Sequence, residues 1–179
     1  MSVRSQLRQL LTPLSLIQDA ELQEKVLAVY EDALKRGGWQ PHDLPAIPAS
    51  LLLPAERGIS YLDHVLAVSN CALVCLEQMK KVYGERLQVD PDILIAGALL
   101  HDVGKLMEIT RKEGKFVRSR SGELLRHPFS GLLPAALAEL PEEIMHIIAC
   151  HSKEGDTSRR TAEAIIINHC DFMNFEPFK

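Results

Sequence analysis

The chain has 179 residues, of which 46% are apolar and 25% charged, and its formal net charge is −4. This is the length and composition of one ordinary globular domain, which buries its own core without staples. The acidic balance gives no overall field that would attract a polyanion, and no basic run offers a local substitute. We therefore expect no extended nucleic-acid partner.

The cysteines and the apolar runs indicate the compartment. The four cysteines, at positions 71, 75, 150 and 170, form neither a Cys-x-x-Cys pair nor a disulfide-type spacing, so we expect four reduced, buried thiols. No apolar run reaches membrane-spanning length, and the N-terminus shows no signal-peptide pattern. The sequence therefore predicts a cytoplasmic protein without a membrane partner.

Helical periodicity dominates the first half of the chain. Apolar residues recur at near-helical spacing from Leu22 to Leu34, and a pair of glycines ends that segment. A proline-rich loop follows, and the next helix is predicted from about Ser60 to Tyr83. We expect residues 1–50 to be an N-terminal helical extension packed on the core, and residues 51–179 to form the main domain.

A helix in the middle of the chain is predicted to be central. The run Asp90-Pro91-Asp92 is a strong start signal, with a capping side chain, a proline at the first position and an acid at the positive helix end. The helix that follows, from Ile93 to about Val103, is apolar on all sides. Such a helix is typical of a buried position in a bundle.

The helical pattern lapses between residues 106 and 124. There Lys112-Glu113-Gly114-Lys115 predicts a short hairpin or an exposed loop. Helices are predicted again after His127-Pro128, after Pro141 and from about residue 158 to residue 173. The expected fold is therefore an all-α helical bundle with one hairpin or loop excursion near residues 106–124.

The most informative polar residues lie at the end of the apolar central helix. Asp102 follows His101 there, at the negative end of the helix dipole, which disfavours a carboxylate. Burial of that carboxylate costs several kcal/mol unless a cation compensates for it. A bound metal ion is the simplest compensation.

Other imidazoles and one more acid are predicted to approach the same interior. His151 completes an apolar helical face, His64 shares a face with Val68, Asp171 follows Ile167 by one turn, and His127 precedes a proline at a helix entrance. Taken alone, each would be read as a packed histidine or a capping acid. Their co-occurrence favours a metal site formed by six candidate ligands: His64, His101, Asp102, His127, His151 and Asp171.

The order of these residues resembles a known pattern. The string His101-Asp102-Val103-Gly104-Lys105 after an apolar helix, with His64 upstream and Asp171 downstream, resembles the HD-domain superfamily of metal-dependent phosphohydrolases. Its pattern is H…HD…D, and many members carry two further histidines between HD and the last Asp. His127 and His151 match those places, and the resemblance runs from about residue 54 to the C-terminus.

Within the superfamily, the chain looks most like the HD module of bacterial 3′–5′ exoribonucleases. The likeness includes the leading helix, the hairpin segment and the ending Asn168-His169-Cys170-Asp171. Those enzymes carry an OB-type nucleic-acid-binding domain ahead of the HD module, for which we find no room in this chain. The resemblance, with the acidic charge, therefore favours a small nucleotide, a short oligonucleotide, a cyclic phosphodiester or another small phosphoester as substrate.

The resemblance also implies a metal arrangement. The first ion would be held by His64, His101, Asp102 and Asp171, and a second by His127 and His151 with Asp102 bridging. Mixed imidazole and carboxylate ligation suits one or two divalent transition ions, Mn²⁺, Fe²⁺, Co²⁺, Ni²⁺ or Zn²⁺, better than Mg²⁺. A metal-activated water would then hydrolyse the phosphoester.

Cationic residues near these ligands are candidates for contacts with a phosphorylated substrate. Lys105 follows the ligand pair directly, and with Asp102 it forms the predicted catalytic set. Arginine can grip a phosphate with two parallel hydrogen bonds. The predicted substrate-binding residues are Lys105, Arg118, Arg120, Arg126 and Lys153.

Two other functions share the same sequence features. Some HD-type folds are di-iron oxygenases with the same six ligands, and iron-dependent O₂ consumption would distinguish them from a hydrolase. A non-catalytic module that senses a nucleotide is the other alternative, and binding that survives chelation without turnover would indicate it. The sequence leaves homo-oligomerisation open.

Overall fold

The computed structural model describes the whole chain, residues 1–179, as ten α-helices and one antiparallel hairpin. The all-α expectation is therefore confirmed. No helix combines the length and apolar character needed to cross a bilayer. The helices are α1 (Val3–Leu10), α2 (Ala20–Gly37), α3 (Tyr61–Tyr83), α4 (Pro91–Leu100), α5 (Lys105–Glu108), α6 (Arg120–Leu124), α7 (His127–Ser130), α8 (Leu132–Leu137), α9 (Glu142–Cys150) and α10 (Ala162–Met173).

Helix α4 is the central element, as its all-apolar sequence predicts. The Asp90 carboxylate caps its first turn by accepting hydrogen bonds from the backbone N–H groups of Asp92 and Ile93. Every residue from Leu94 to Leu100 is buried, and the helix packs against α3, α9 and α10. It is shorter than predicted, because Val103 N–H donates to the Leu100 carbonyl in a tighter turn that ends the α-helix.

Two hydrophobic clusters lie on either side of α4. The larger contains 28 buried residues and joins α1, α2 and the loop after them to α4, α5 and α9. The smaller contains 12 buried residues and fills the space between α3, α4, α9 and α10. Residues 1–50 therefore share a continuous core with the helices that follow them. All four cysteines are free, but Cys71 and Cys75 are only half-buried, which corrects the expectation of four buried thiols.

The N-terminal helices support the backbone on both sides of His101-Asp102. The Tyr30 hydroxyl donates a 2.6 Å hydrogen bond to the Leu99 carbonyl, just before the pair. The Trp39 indole N–H donates a 2.9 Å hydrogen bond to the Leu106 carbonyl, just after it. Because both acceptors are buried backbone groups, these bonds satisfy atoms that would otherwise be costly to bury.

The predicted excursion is a short hairpin of β1 (Ile109–Lys112) and β2 (Lys115–Arg118). Ile109 pairs with Arg118, and Lys112 pairs with Lys115. The two turn residues, Glu113 and Gly114, have φ angles of 52° and 77°, the left-handed conformation that a two-residue hairpin turn requires. The hairpin returns the chain to the end of α5 and places Arg118 there.

Candidate functional site

The structure brings the six candidate ligands into one cluster. They come from α3, the turn after α4, the start of α7, the residue after α9, and α10. All are buried except Asp171, which is half-buried. The expected convergence of distant segments is therefore present, and its members are His64, His101, Asp102, His127, His151 and Asp171.

Asp102 lies at the centre of the cluster, with imidazoles on both sides of its carboxylate. Its Oδ2 atom lies 3.3 Å from Nε2 of His64 and 3.4 Å from Nε2 of His101. Its Oδ1 atom lies 3.3 Å from Nε2 of His127 and 3.6 Å from Nε2 of His151. His64 Nε2 also lies 3.0 Å from Oδ1 of Asp171. Each oxygen of Asp102 thus faces a different half of the cluster.

Three of the four imidazoles are oriented through their other ring nitrogen. Nδ1 of His101 lies 2.6 Å from the Ala98 carbonyl, and Nδ1 of His151 lies 3.0 Å from the Ile148 carbonyl. Nδ1 of His127 lies 3.0 Å from a carboxylate oxygen of Glu108. When Nδ1–H donates to such an acceptor, Nε2 keeps its lone pair and points into the cluster.

Most polar atoms that face the cluster centre make no hydrogen bond of normal geometry, although Nζ of Lys105 forms an ion pair with one oxygen of Asp102. The atoms without such a bond are Nε2 of His64, His101 and His151 and both carboxylate oxygens of Asp102, all fully buried. Neighbouring atoms bound 2.0–2.2 Å from one metal ion lie roughly 2.8–3.6 Å apart in octahedral or tetrahedral geometry. The N–O distances of 3.0–3.6 Å agree with that range. The residues present therefore fit a divalent ion.

Lys105 is the cation nearest to the central carboxylate, with its Nζ 2.5 Å from Oδ2 of Asp102. Burial alone would raise the pKa of Asp102, but the Lys105 ammonium and His101 hold it well below its usual range. At Asp171, burial is likewise outweighed by the contact with His64, which lowers the pKa to about 2. Both acids are therefore ionised near neutral pH and are available as ligands.

Sequence reasoning missed Glu108, the last residue of α5. Its Oε2 atom accepts a 2.9 Å hydrogen bond from the backbone N–H of His127 as well as the contact from Nδ1. Burial favours the neutral form of Glu108, but the bonds from His127 outweigh it and lower the pKa of the carboxyl group. A Glu six residues after Asp102 carries no signal in one sequence, because its partner lies 19 residues further along.

A cavity of about 220 Å³ opens beside the cluster. Asp102, His127 and Asp171 form part of its wall, so the cluster can be reached from it. Phe172 and Phe175 add an aromatic surface that the sequence did not indicate, because Phe172 lies in a segment predicted only as helix and Phe175 follows the predicted end of that helix. The cations that line the cavity are Lys105, Arg118, Arg126, Lys153 and Lys179.

Four of the five predicted substrate-binding residues, Lys105, Arg118, Arg126 and Lys153, line this cavity. Arg126 and Arg118 both lie within 4 Å of the Glu108 carboxylate, which holds them at the wall. Arg120 does not line the cavity, and its prediction as a substrate contact is not supported. Its side chain, at the first residue of α6, is 77% exposed and pairs with Glu123.

Gly104 keeps the His101-Asp102 turn in contact with α7. A Cβ atom at this position would lie 2.0 Å from the His127 carbonyl oxygen, so the backbone would have to move. We expect Gly104→Ala to lower the free energy of unfolding by about 1–3 kcal/mol, the usual cost of overpacking. Denaturant unfolding measures this.

The matched control for that change is Gly131→Ala. A Cβ atom there would lie 3.0 Å from the Ile148 side chain and 3.1 Å from the same His127 carbonyl oxygen, distances that small shifts can relieve. We expect a smaller loss of unfolding free energy than for Gly104→Ala. Equal losses in the two variants would show that the 2.0 Å overlap with the His127 carbonyl is not what requires glycine at position 104.

The chain is similar to a protein of known function. A curated relative, dihydroneopterin 2′,3′-cyclic phosphate phosphodiesterase of Methanocaldococcus jannaschii, is 32% identical over 130 residues. The match covers 69% of this chain but 49% of the relative, so the chain spans about half the length of the protein it matches. No solved structure matches this chain.

A family profile described as HD domain matches residues 61–173. That range begins at the first residue of α3 and ends at the last residue of α10, and it contains all six clustered side chains. The likeness to exoribonuclease HD modules is not part of these findings and stays a prediction. The chain belongs to the HD domain family.

Proposed function

We propose that this protein is a metal-dependent phosphohydrolase that cleaves a small phosphodiester, with a cyclic nucleotide-like phosphate as the substrate class. The observation that carries the proposal is the set of buried nitrogen and oxygen atoms around Asp102 that lack hydrogen bonds, beside a cavity with a cationic lining. An unpaired buried polar atom costs about 1–3 kcal/mol, so such a cluster is costly unless it binds something.

We propose two overlapping metal sites. One consists of His64, His101, Asp102 and Asp171, whose ligand atoms all lie within 4.8 Å of one another. The second consists of His127 and His151 together with the other oxygen of Asp102. The mixture of imidazole and carboxylate favours Mn²⁺, Fe²⁺, Co²⁺, Ni²⁺ or Zn²⁺ over Mg²⁺. When bound, such ions lower the pKa of water to supply a hydroxide and act as Lewis acids toward phosphoryl oxygens.

The chain's own groups position and neutralise the phosphate. Lys105, whose Nζ touches Asp102, lies at the boundary between the cluster and the cavity. Arg126 lines the cavity next to Glu108, and its side chain is 43% exposed, so its guanidinium can reach a phosphate oxygen. Arg118 and Lys153 add positive charge further along the wall. These cations favour a phosphoester hydrolase over a di-iron oxygenase.

The remaining lining indicates the rest of the substrate. Phe172 and Phe175 provide an apolar aromatic surface in the same cavity. A substrate that joins a cyclic phosphate to a planar ring would place charge against the cations and the ring against these side chains. The curated relative is named for a 2′,3′-cyclic phosphate substrate. We propose that class here, with residues 1–50 as a supporting extension of the catalytic domain.

The direct test is a panel of phosphoesters assayed with Mn²⁺, Co²⁺, Ni²⁺, Zn²⁺ and Mg²⁺ in parallel. The panel contains 2′,3′-cyclic and 3′,5′-cyclic nucleotides, nucleoside monophosphates, dihydroneopterin 2′,3′-cyclic phosphate and short RNA. We expect turnover of a cyclic phosphate with a transition ion. Turnover of none of them, or oxygen consumption in an iron-loaded sample, would contradict the proposal.

Glu108 is proposed as a positioning residue for His127. Glu108→Gln keeps the shape of the side chain but removes the charge that orients Nδ1–H. Changes of this kind typically cost 10–100-fold in metal affinity. We expect metal titration to show about that loss in one of two binding steps, with the other unchanged. Equal weakening of both steps, or of neither, would contradict this role.

Lys105 is proposed to act on the substrate rather than as a metal ligand. Lys105→Ala removes an ammonium group that a phosphate can use but removes no ligand atom. We expect metal content to stay at the wild-type level while kcat falls by roughly 100-fold, the usual effect of deleting one charge-stabilising group. Lys115→Ala, at the exposed hairpin turn, is the matched control. Full activity of Lys105→Ala on every substrate would contradict the role.

A further inference from the structure

Three cysteine thiols meet between α3 and α10, outside the cluster described above. Cys71 and Cys75 lie one turn apart on α3, and Cys170 faces them from α10. Their sulfur atoms all lie within 4.8 Å of one another, and none is in a disulfide. The Sγ atom of Cys170 lies 4.0 Å from that of Cys75. The fourth cysteine, Cys150, is not part of this group.

The spacing of the sulfur atoms fits a three-coordinate ion. Three thiolates each bound about 2.3 Å from one ion lie roughly 4.0 Å apart when the site is trigonal planar. The distance between Cys75 and Cys170 has this value, and the sulfur of Cys71 lies within 4.8 Å of both. A disulfide between the same two residues would instead need the sulfur atoms to approach to about 2.05 Å.

The chemical character of the group selects a soft cation. The three ligand atoms are all sulfur, whereas the cluster around Asp102 offers only nitrogen and oxygen. Thiolate ligands select soft ions such as Cu(I) and Zn²⁺, and a three-coordinate site favours Cu(I), because protein-bound Zn²⁺ is almost always four-coordinate.

The group is accessible from one side. Cys71 and Cys75 are half-buried, while Cys170 is 1% exposed. An ion can therefore enter past the two cysteines of α3 and reach the third beneath them. The thiol protons released on binding pass to solvent by the same route.

We propose that Cys71, Cys75 and Cys170 form a separate binding site for one soft, thiophilic cation, with Cu(I) as the best match. The bound ion links α3 to α10, the two helices that carry His64 and Asp171. It therefore crosslinks these two helices. The site is independent of the proposed hydrolase activity and of the ions that activity would use.

The test is a Cu(I) titration of the purified full chain with a non-thiol reductant present. A coloured Cu(I) chelator competes for the ion, and near-ultraviolet absorption reports thiolate–copper bonds. We expect wild-type protein to withdraw one equivalent from the chelator, to gain the absorption band and to melt at a higher temperature with Cu(I). Absence of the band in wild-type protein would overturn the proposal.

Two variants separate this site from the other thiol and from the imidazoles. Cys71→Ser combined with Cys75→Ser should lose the thiolate–copper absorption band and the binding of one equivalent of Cu(I). This variant should also show no rise in melting temperature when Cu(I) is added. The matched control Cys150→Ser should keep all three. If the double variant fails to fold by circular dichroism, Cys71→Ser alone is measured in the same way. A variant that lacks the α3 thiols but keeps the band would overturn the proposal.

Discussion

Replacing Asp102 with Ala is expected to remove both metal binding and turnover. Asp102 is the one residue with an atom near both halves of the cluster, so its loss removes a ligand from each proposed site. We expect elemental analysis of the purified variant to show no stoichiometric transition metal. We expect kcat to fall by about 10³-fold or more, because loss of the metal would remove both the activated water and the charge that stabilises the transition state.

Unlike most losses of a buried group, loss of Asp102 is not expected to destabilise the metal-free protein, and this provides a control. A buried carboxylate that lacks its cation is costly, so the variant should be at least as stable as wild-type protein in chelator. Its melting temperature should not respond to metal. Asp32→Ala, which removes an acid from the surface of α2, should leave metal content and turnover unchanged. A variant of Asp102 that retains metal would contradict the bridging role.

Metal removal is the second change with a large expected effect. Ligand binding to the folded state stabilises it by about 2.7 kcal/mol when the free ligand is at 100 times its dissociation constant. For a chain of this length each kcal/mol shifts the melting temperature by about 2–4 °C. We therefore expect dialysis against a chelator to lower the melting temperature by about 5–10 °C and to abolish turnover.

Re-addition of single ions completes that experiment. Mn²⁺, Co²⁺, Ni²⁺ or Zn²⁺ should restore the melting temperature, whereas Mg²⁺ should restore less, because the ligand set is rich in imidazole. Scanning calorimetry measures the shift, and the same samples are assayed for turnover. If the chelated and metal-loaded proteins melt at the same temperature, the buried atoms around Asp102 do not bind these ions.

The central helix and the cluster were the most predictable parts of the protein. Asp90 and Pro91 mark the start of α4. Because its apolar run has no polar side, the sequence predicts that the helix lies in the centre of the bundle. The face of Ile144, Ile147 and Ile148 requires that His151 also point inward, as it does. These features are set by local spacing, which one sequence contains.

The contacts around the cluster were less predictable because they depend on where loops return. Glu108 reaches His127 across the hairpin and α6, and no periodic pattern links the two. The same cause explains Arg120, which lies close to Arg118 in the chain but points to solvent at the start of α6. Periodicity fixes which side of a helix is buried, but not which loop residue reaches a cavity.

The central claim is that imidazoles and acids from five segments hold metal around Asp102. It is tested most directly by a crystal structure of Mn²⁺-loaded protein, with the anomalous signal of manganese used to locate the ions. We predict one or two anomalous peaks at about 2.0–2.3 Å from Nε2 of the clustered histidines and from the Asp102 carboxylate. A map with no peak there, and with Asp102 contacting only Lys105, would contradict the account.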